Sequence, residues 1–166
     1  GIERTKSKIR FCQVDNVQLV CATAENMPFK NETFNLITSN NGLNNVSSVK
    51  NALLECYRVS KKDCLLVFTA NLPGTMSSFY ECFKTIMSET GLHELNLDID
   101  KHIESKRKSP EEMKRLTVEA GFSFVSSEFF SFRIGFANGT AFLNHFLIRL
   151  YFLQSWLFLI PENKRT

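Results

Sequence analysis

The run Cys-Leu-Leu-Val-Phe-Thr at residues 64–69 constrains the fold more than any other stretch. It is apolar almost from end to end and bounded by turn residues, so it reads as a strand covered on both faces by helices in a parallel sheet. Two more strand candidates precede it. Residues 17–22 read Val-Gln-Leu-Val-Cys-Ala, and residues 34–39 end in Asn40-Asn41-Gly42, a cluster that favours a turn. Between 39 and 64, Ser47 and Ser48 offer caps for a helix from about Val49, with Ala52, Leu53, Cys56 and Tyr57 at helical spacing. Lys61-Lys62-Asp63 is the expected turn into the third strand. Strand, helix, strand in that order predicts a right-handed βαβ unit and an α/β fold.

The flanking segments are less regular. Residues 1–10 carry Arg4, Lys6, Lys8 and Arg10 and read as a frayed helix end, and Pro28 with the polar residues 30–33 forces a loop. After Pro73-Gly74 a helix is expected over about 76–88, with Phe79, Phe83, Ile86 and Met87 as its apolar stripe. Residues 93–108 mix both charges without a clear period and read as an exposed excursion. Ser109-Pro110-Glu111-Glu112 is a helix start, with a capping Ser, Pro in the first turn and acids beside it. Gly121 ends that helix, and residues 122–136 are expected to form the longest late strand. No internal repeat is visible.

The most apolar part is 142–160, interrupted by Asn144, His145, Arg149, Gln154 and Ser155. As one helix it would reach about 28 Å, close to the hydrocarbon thickness of a bilayer. A charge at Arg149, near its middle, opposes a span by roughly 2.5–3.5 kcal/mol. Three readings follow: a helical pair buried in the domain or covering a substrate, a membrane-surface element, and a true span. The first is the expectation.

Charge and cysteines exclude several functions. With 20 Lys+Arg against 17 Asp+Glu the net charge is +3, far from the basic excess of a dedicated nucleic-acid binder, so no nucleic-acid partner is expected. Cys12, Cys21, Cys56, Cys64 and Cys82 are odd in number and lack ligand-like spacing, so neither a disulfide framework nor a metal site is expected. Most sit in apolar runs and read as buried thiols in a reducing, cytoplasmic setting. No secretory h-region follows the polar N-terminus. No nucleophilic triad is visible. His93 and His102 read as solvated and His145 as a hydrogen-bonded core histidine, which leaves them weak candidates for a general base.

Three blocks in order carry a resemblance. Ala22-Thr23-Ala24-Glu25-Asn26-Met27-Pro28-Phe29 follows the first strand, Phe34-Asn35-Leu36-Ile37-Thr38-Ser39-Asn40 forms the second, and Glu55-Cys56-Tyr57-Arg58-Val59 precedes the third. Together, over roughly residues 17–70, they resemble class I S-adenosylmethionine-dependent methyltransferases of the ubiquinone/menaquinone-biosynthesis type. Residues 112–122 resemble the helix and Ala-Gly-Phe that lead into that family's later strands. The resemblance implies a Rossmann-like sheet, S-adenosylmethionine as cofactor and a small-molecule methyl acceptor. It would put Thr23 at the adenine amino group, the backbone N–H of Ala24 or Glu25 against the adenine ring, and Asn40 and Asn41 beside the methionine part. Ordinary turn chemistry is the competing reading for Asn40, Asn41, Asn44 and Asn45. Glu55 and Arg58 read as helix-surface and loop-anchoring groups.

The departures from the family pattern are specific. An adenine-binding Asp is Thr23 here, a strand Asp is Asn35, and the turn usually written Pro-Gly-Gly is Lys62-Asp63-Cys64. Neither a Gly-x-Gly-x-Gly nor a ribose-binding acid after a preceding strand is found. The expectation is therefore an incomplete sheet: residues 1–138 as a partial methyltransferase domain and 139–166 as an apolar helical tail packed on it. The sheet would lack its cofactor cradle before Gly1, which is not Met, and its last strand beyond Thr166. A non-catalytic methyltransferase-like binding or scaffold module is the alternative. Phe142, Phe146, Phe152 and Trp156 suggest a lid over a small or apolar acceptor, or an ordinary core. Peripheral membrane contact through 142–160 stays open.

Overall fold

The structure is a computed structural model that describes residues 2–164, so the ends of the expectations at Gly1, Arg165 and Thr166 lie outside the described residues. The chain divides into two compact units. One comprises the residues up to Ala70 together with Glu111–Ser123, and the other comprises Asn71–Pro110 and the chain from Phe124 onward.

The first unit is built on one parallel strand pair, β1 (Phe34–Asn40) and β2 (Ser60–Thr69), joined by α2 (Val49–Val59). A parallel pair cannot be closed by a tight turn, so the crossover helix is required by the topology. Ser48 starts α2: its Oγ accepts from the Asn51 N–H at 3.2 Å and satisfies one of the free donors of the first turn. Ala52, Leu53, Cys56 and Val59, at helical spacing, are buried. With Leu43, with Met113 and Leu116 of α5 (Pro110–Glu119) and with Ala120 directly after it, Ala52 and Leu53 form the core of this unit. Leu66 and Phe68 from β2 pack against it. The expected turn at 61–63 exists as an irregularity inside β2. Phe34 pairs with Ser60 while Leu36 pairs with Leu65, and Asp63 takes φ +63 within the extra residues.

Two expected strands are absent. Residues 17–22 and 122–136 have no strand structure, and nearly all of their side chains are exposed. Their β-branched and aromatic composition suits a pleated surface, but a strand exists only where a neighbour completes its ladder. Among the described residues the sheet contains β1 and β2 alone. The same fact corrects the expectation for 64–69. Leu66 and Phe68 are covered, whereas Leu65 and Val67, on the opposite face, are about half exposed. The cysteine expectation also changes: only Cys56 is buried, Cys64 is half-buried, and Cys12, Cys21 and Cys82 are exposed thiols. The first helix, α1 (Ile2–Phe11), is present and buries no residue.

The second unit is helical. In α3 (Ser77–Glu89) the buried residues are Tyr80, Phe83 and Met87, and Ile86, expected in the stripe, faces solvent. The excursion expected at 93–108 is a helix, α4 (Leu95–Lys106), with Ile99 fully buried. Leu95, Ile99 and Ile103 recur every fourth residue, a period that the surrounding charges obscure. Lys84 of α3 pairs with Asp100 of α4. The apolar tail forms three six-residue helices, α6 (Gly139–Asn144), α7 (Phe146–Tyr151) and α8 (Leu153–Phe158), which bring Ile148 and Trp156 into one core with Tyr80, Phe83, Met87 and Ile99. Among the described residues no helix is long and apolar enough to cross a membrane.

Gly121 is the backbone position most dependent on its residue type. Its φ is +111, and a Cβ there would stand 2.7 Å from the Tyr57 ring, which itself packs edge-on against Phe122. Gly121→Ala is expected to destabilise the chain by about 1–3 kcal/mol, read as a lower urea midpoint with an unchanged slope.

Candidate functional site

In an open α/β sheet, ligands bind outside the carboxyl ends of the strands. Here that edge is made by Asn40 and Asn41 at the end of β1 and Thr69 at the end of β2, and register places Asn40 opposite Thr69. Thr69 ties the edge together. Its Oγ1 donates to Asn40 Oδ1 at 2.7 Å, while its carbonyl and Oγ1 both accept from the Asn41 N–H at 3.1 Å. Asn41 adopts φ +53, a left-handed conformation that Asn tolerates better than most residues, and its carbonyl accepts from Asn45 Nδ2 at 3.1 Å. Sequence reasoning missed Thr69. Its signal was its place as the last residue of the strand next to the Asn pair.

Thr23, Ala24 and Glu25 lie in a tight turn, closed by the Asn26 N–H donating to the Thr23 carbonyl at 3.3 Å. Thr23 is exposed, and Ala24 packs against the core of the first unit. Glu25 is more than the backbone position foreseen for it. Its Oε1 accepts from the N–H groups of Ser47 at 2.7 Å and Ser48 at 3.2 Å, immediately before α2. These donors and its own N–H, led by that of Ser48, hold the Glu25 carboxyl below the usual carboxylate range. A carboxylate there also suits the positive end of the helix dipole. The two groups of candidates thus bracket one connection: Asn41 opens it, and Glu25 holds its end at Ser47 and Ser48.

A second clamp fixes the loop after the turn. Arg58 donates to the carbonyls of Phe29 at 2.7 Å and Met27 at 3.0 Å and to Asn31 Oδ1 at 2.9 Å, while forming a two-point pair with Glu55 at 2.7 and 2.6 Å. Glu55 Oε1 also accepts from the Met27 N–H at 2.8 Å. Glu55 and Arg58 are therefore loop anchors, as expected. The Arg58 hydrogen bonds, and then the Met27 N–H, lower the Glu55 carboxyl to about 2 against burial, which acts the other way. Among the described residues no group of acids, histidines and cysteines could hold a metal. Of the histidines, His102 is half-buried and held below its ordinary range by burial and then by Lys106 and Arg107.

The parallel pair and its crossover helix form a βαβ unit, which fits an incomplete Rossmann-like sheet of the methyltransferase kind. The family model described as the ubiE/COQ5 methyltransferase family matches residues 2–139, and the chain belongs to that family. It is 29% identical over 128 residues to a demethylmenaquinone methyltransferase of Listeria monocytogenes, covering 72% of this chain and 54% of that protein. It is 33% identical over 121 residues to the ubiquinone/menaquinone biosynthesis C-methyltransferase UbiE of Salmonella arizonae, covering 68% and 48%. A shorter match, 35% over 86 residues, links 49% of this chain with 37% of a Geobacillus demethylmenaquinone methyltransferase. The chain spans about half the length of the curated relatives it matches. No solved structure matches it.

The low Glu55 pKa sets a pH dependence. The folded value, about 2, lies below the ordinary carboxyl value of 4.5, so the contribution of Glu55 is complete above pH 4.5 and is lost as pH falls toward 2. Urea unfolding across that range should show a smaller loss of stability on acidification for Glu55→Gln than for the wild type. Arg58→Met should lower Tm at neutral pH and expose the 27–31 loop to limited proteolysis.

Proposed function

We propose that this protein takes part in methyl transfer from S-adenosylmethionine to a small aromatic acceptor of quinone biosynthesis. The observation that supports the reading is the polar edge of Asn40, Asn41 and Thr69 at the carboxyl ends of two parallel strands, in a chain of the ubiE/COQ5 family. The relatives named for demethylmenaquinone and ubiquinone/menaquinone methylation supply the acceptor class.

The donor set at this edge is neutral and polar, and it fits part of the cofactor. The exposed Thr23 hydroxyl suits the adenine amino group, and the amides of Asn40 and Asn41 suit the amino-acid portion. When bound, the cofactor supplies an electrophilic methyl group on a sulfonium. The chain's own residues orient it and do no covalent work. Thr69 holds the Asn40 amide in one rotamer, Glu25 fixes the turn that carries Thr23, and Arg58 fixes the loop behind it. Such positioning is the main demand of a direct displacement. In this reading residues 1–138 are the methyltransferase part and 139–166 a helical tail. A cytoplasmic location belongs to it too, and all five cysteines are free thiols, the state a reducing compartment maintains.

No Gly-x-Gly-x-Gly occurs in these 166 residues, and Thr23 offers a neutral hydrogen bond where the family has a charged one. The missing contacts are each worth about 0.5–1.5 kcal/mol, so S-adenosylmethionine should bind this chain about a hundredfold or more weaker than it binds the Listeria relative. Calorimetric titration measures the difference, and micromolar binding by the chain would contradict it. Thr23→Asp should tighten binding by about tenfold and Thr23→Ala should weaken it. If neither substitution changes the affinity, Thr23 does not meet the cofactor.

A further inference from the structure

The second unit leaves one side of its tail apolar and uncovered. Helix α7 docks through Ile148, which is buried, while Phe146, Leu147, Leu150 and Tyr151 fall on the other side of the same six residues. At about 100° per residue these four cover an arc of about 140°, and Arg149 stands about 60° beyond Phe146. The side chains are well exposed: Phe146 61%, Leu150 62% and Tyr151 69%. Helix α8, which packs on α7, buries Trp156 and leaves Phe158 exposed. Two of the readings of this tail from sequence thus apply to its two sides: one is buried in the unit, and the other is a surface element.

Large apolar side chains exposed as a group mark a docking face, and the charges around them say what docks. Residues 129–161 hold two cations, Arg133 and Arg149, and no Asp or Glu. Neither arginine pairs with a carboxylate among the described residues. A second copy of the chain suits this face poorly. A two-fold contact presents the same patch from both sides, so Arg149 would approach its own copy with no acid in the segment to meet it. An anionic lipid surface answers both features: phosphates meet the guanidinium, and the boundary with the acyl chains takes the apolar side chains. Tyr151 and Arg149 each join an apolar body to a polar tip, which suits the headgroup level. No described helix is long and apolar enough to cross a membrane, so the contact is one that lies on the surface.

We propose that the exposed side of α7, with Phe158 of α8, docks the second unit on an anionic phospholipid bilayer. Phe146 and Leu150 enter the boundary between headgroups and acyl chains, and Arg149 meets a lipid phosphate. The proposal stands on this unit alone and does not rest on the binding of S-adenosylmethionine.

Co-sedimentation of the whole chain with vesicles tests it, using phosphatidylcholine alone and an equimolar mixture of phosphatidylcholine and phosphatidylglycerol. The mixed vesicles should bind the chain about tenfold or more tighter, and high salt should remove most of that advantage. Leu150→Glu should weaken binding to the mixed vesicles about tenfold or more, and Arg149→Gln about fivefold, while Arg149→Lys retains it. Leu65→Glu, at an exposed apolar position in the first unit, should leave binding unchanged. Circular dichroism checks that each variant folds, and if Leu150→Glu does not, Arg149→Gln decides together with the salt dependence of the wild type. Equal binding to both vesicles, no binding to either, or a loss in Leu65→Glu as large as in Leu150→Glu overturns the proposal. Absent vesicle binding with a wild-type dimer in sedimentation velocity that Leu150→Glu dissociates overturns it too, and assigns the face to a second copy.

Discussion

The parallel pairing of β1 with β2 is the constraint on which the first unit depends. Two parallel strands bring their carboxyl ends to one edge, and the chain between them must return the full strand length through a crossover. Helix α2 makes that return and buries Ala52, Leu53, Cys56 and Val59 beneath the pair. The polar residues at the edge then follow from register: Asn40 faces Thr69 because Leu36 faces Leu65. Slipping the pairing by one residue would turn Leu66 and Phe68 away from the core, so burial on one face holds the edge residues in place on the other axis.

Two anionic side chains carry that order into the loop before β1. Glu25 satisfies backbone donors ahead of α2, and Glu55, from within α2, positions Arg58 and the Met27 N–H. Both act on the same helix, one at its start and one near its end. The turn with Thr23 and the loop to Asn31 are therefore held by α2 through hydrogen bonds. Arg58 is suited to this work because its planar fork reaches two carbonyls and a carboxylate at once. A lysine could not hold the same set.

The second unit solves a different problem with the same chemistry inverted. Its core is aromatic, assembled by α3, α4 and three short helices, and the buried Arg107 lies over the ring of its Tyr80. In the first unit each buried or half-buried charge has its donors or acceptors at hand. Arg58, with five hydrogen bonds, clamps a loop, whereas Arg107 makes one long contact and lies over the Tyr80 ring.

Local chemistry was legible from residues alone: the Ser48 cap, the apolar face of α2, the Pro110 start, the Gly121 stop and the two strands that pair. So were the family and the Asn40–Asn41 edge, because ordered short blocks survive in the chain. What the sequence could not decide was anything that needs a partner from elsewhere. Residues 17–22 and 122–136 have strand composition but no ladder, and Leu65 and Val67 have core composition but no cover. Ile99 was hidden among charges until α3 lay beside it. Glu25, Thr69 and Arg107 are ordinary polar residues in sequence. Only the tertiary structure, by deciding which groups face one another, makes the first a helix anchor, the second the tie of the strand edge and the third a buried cation on an aromatic ring.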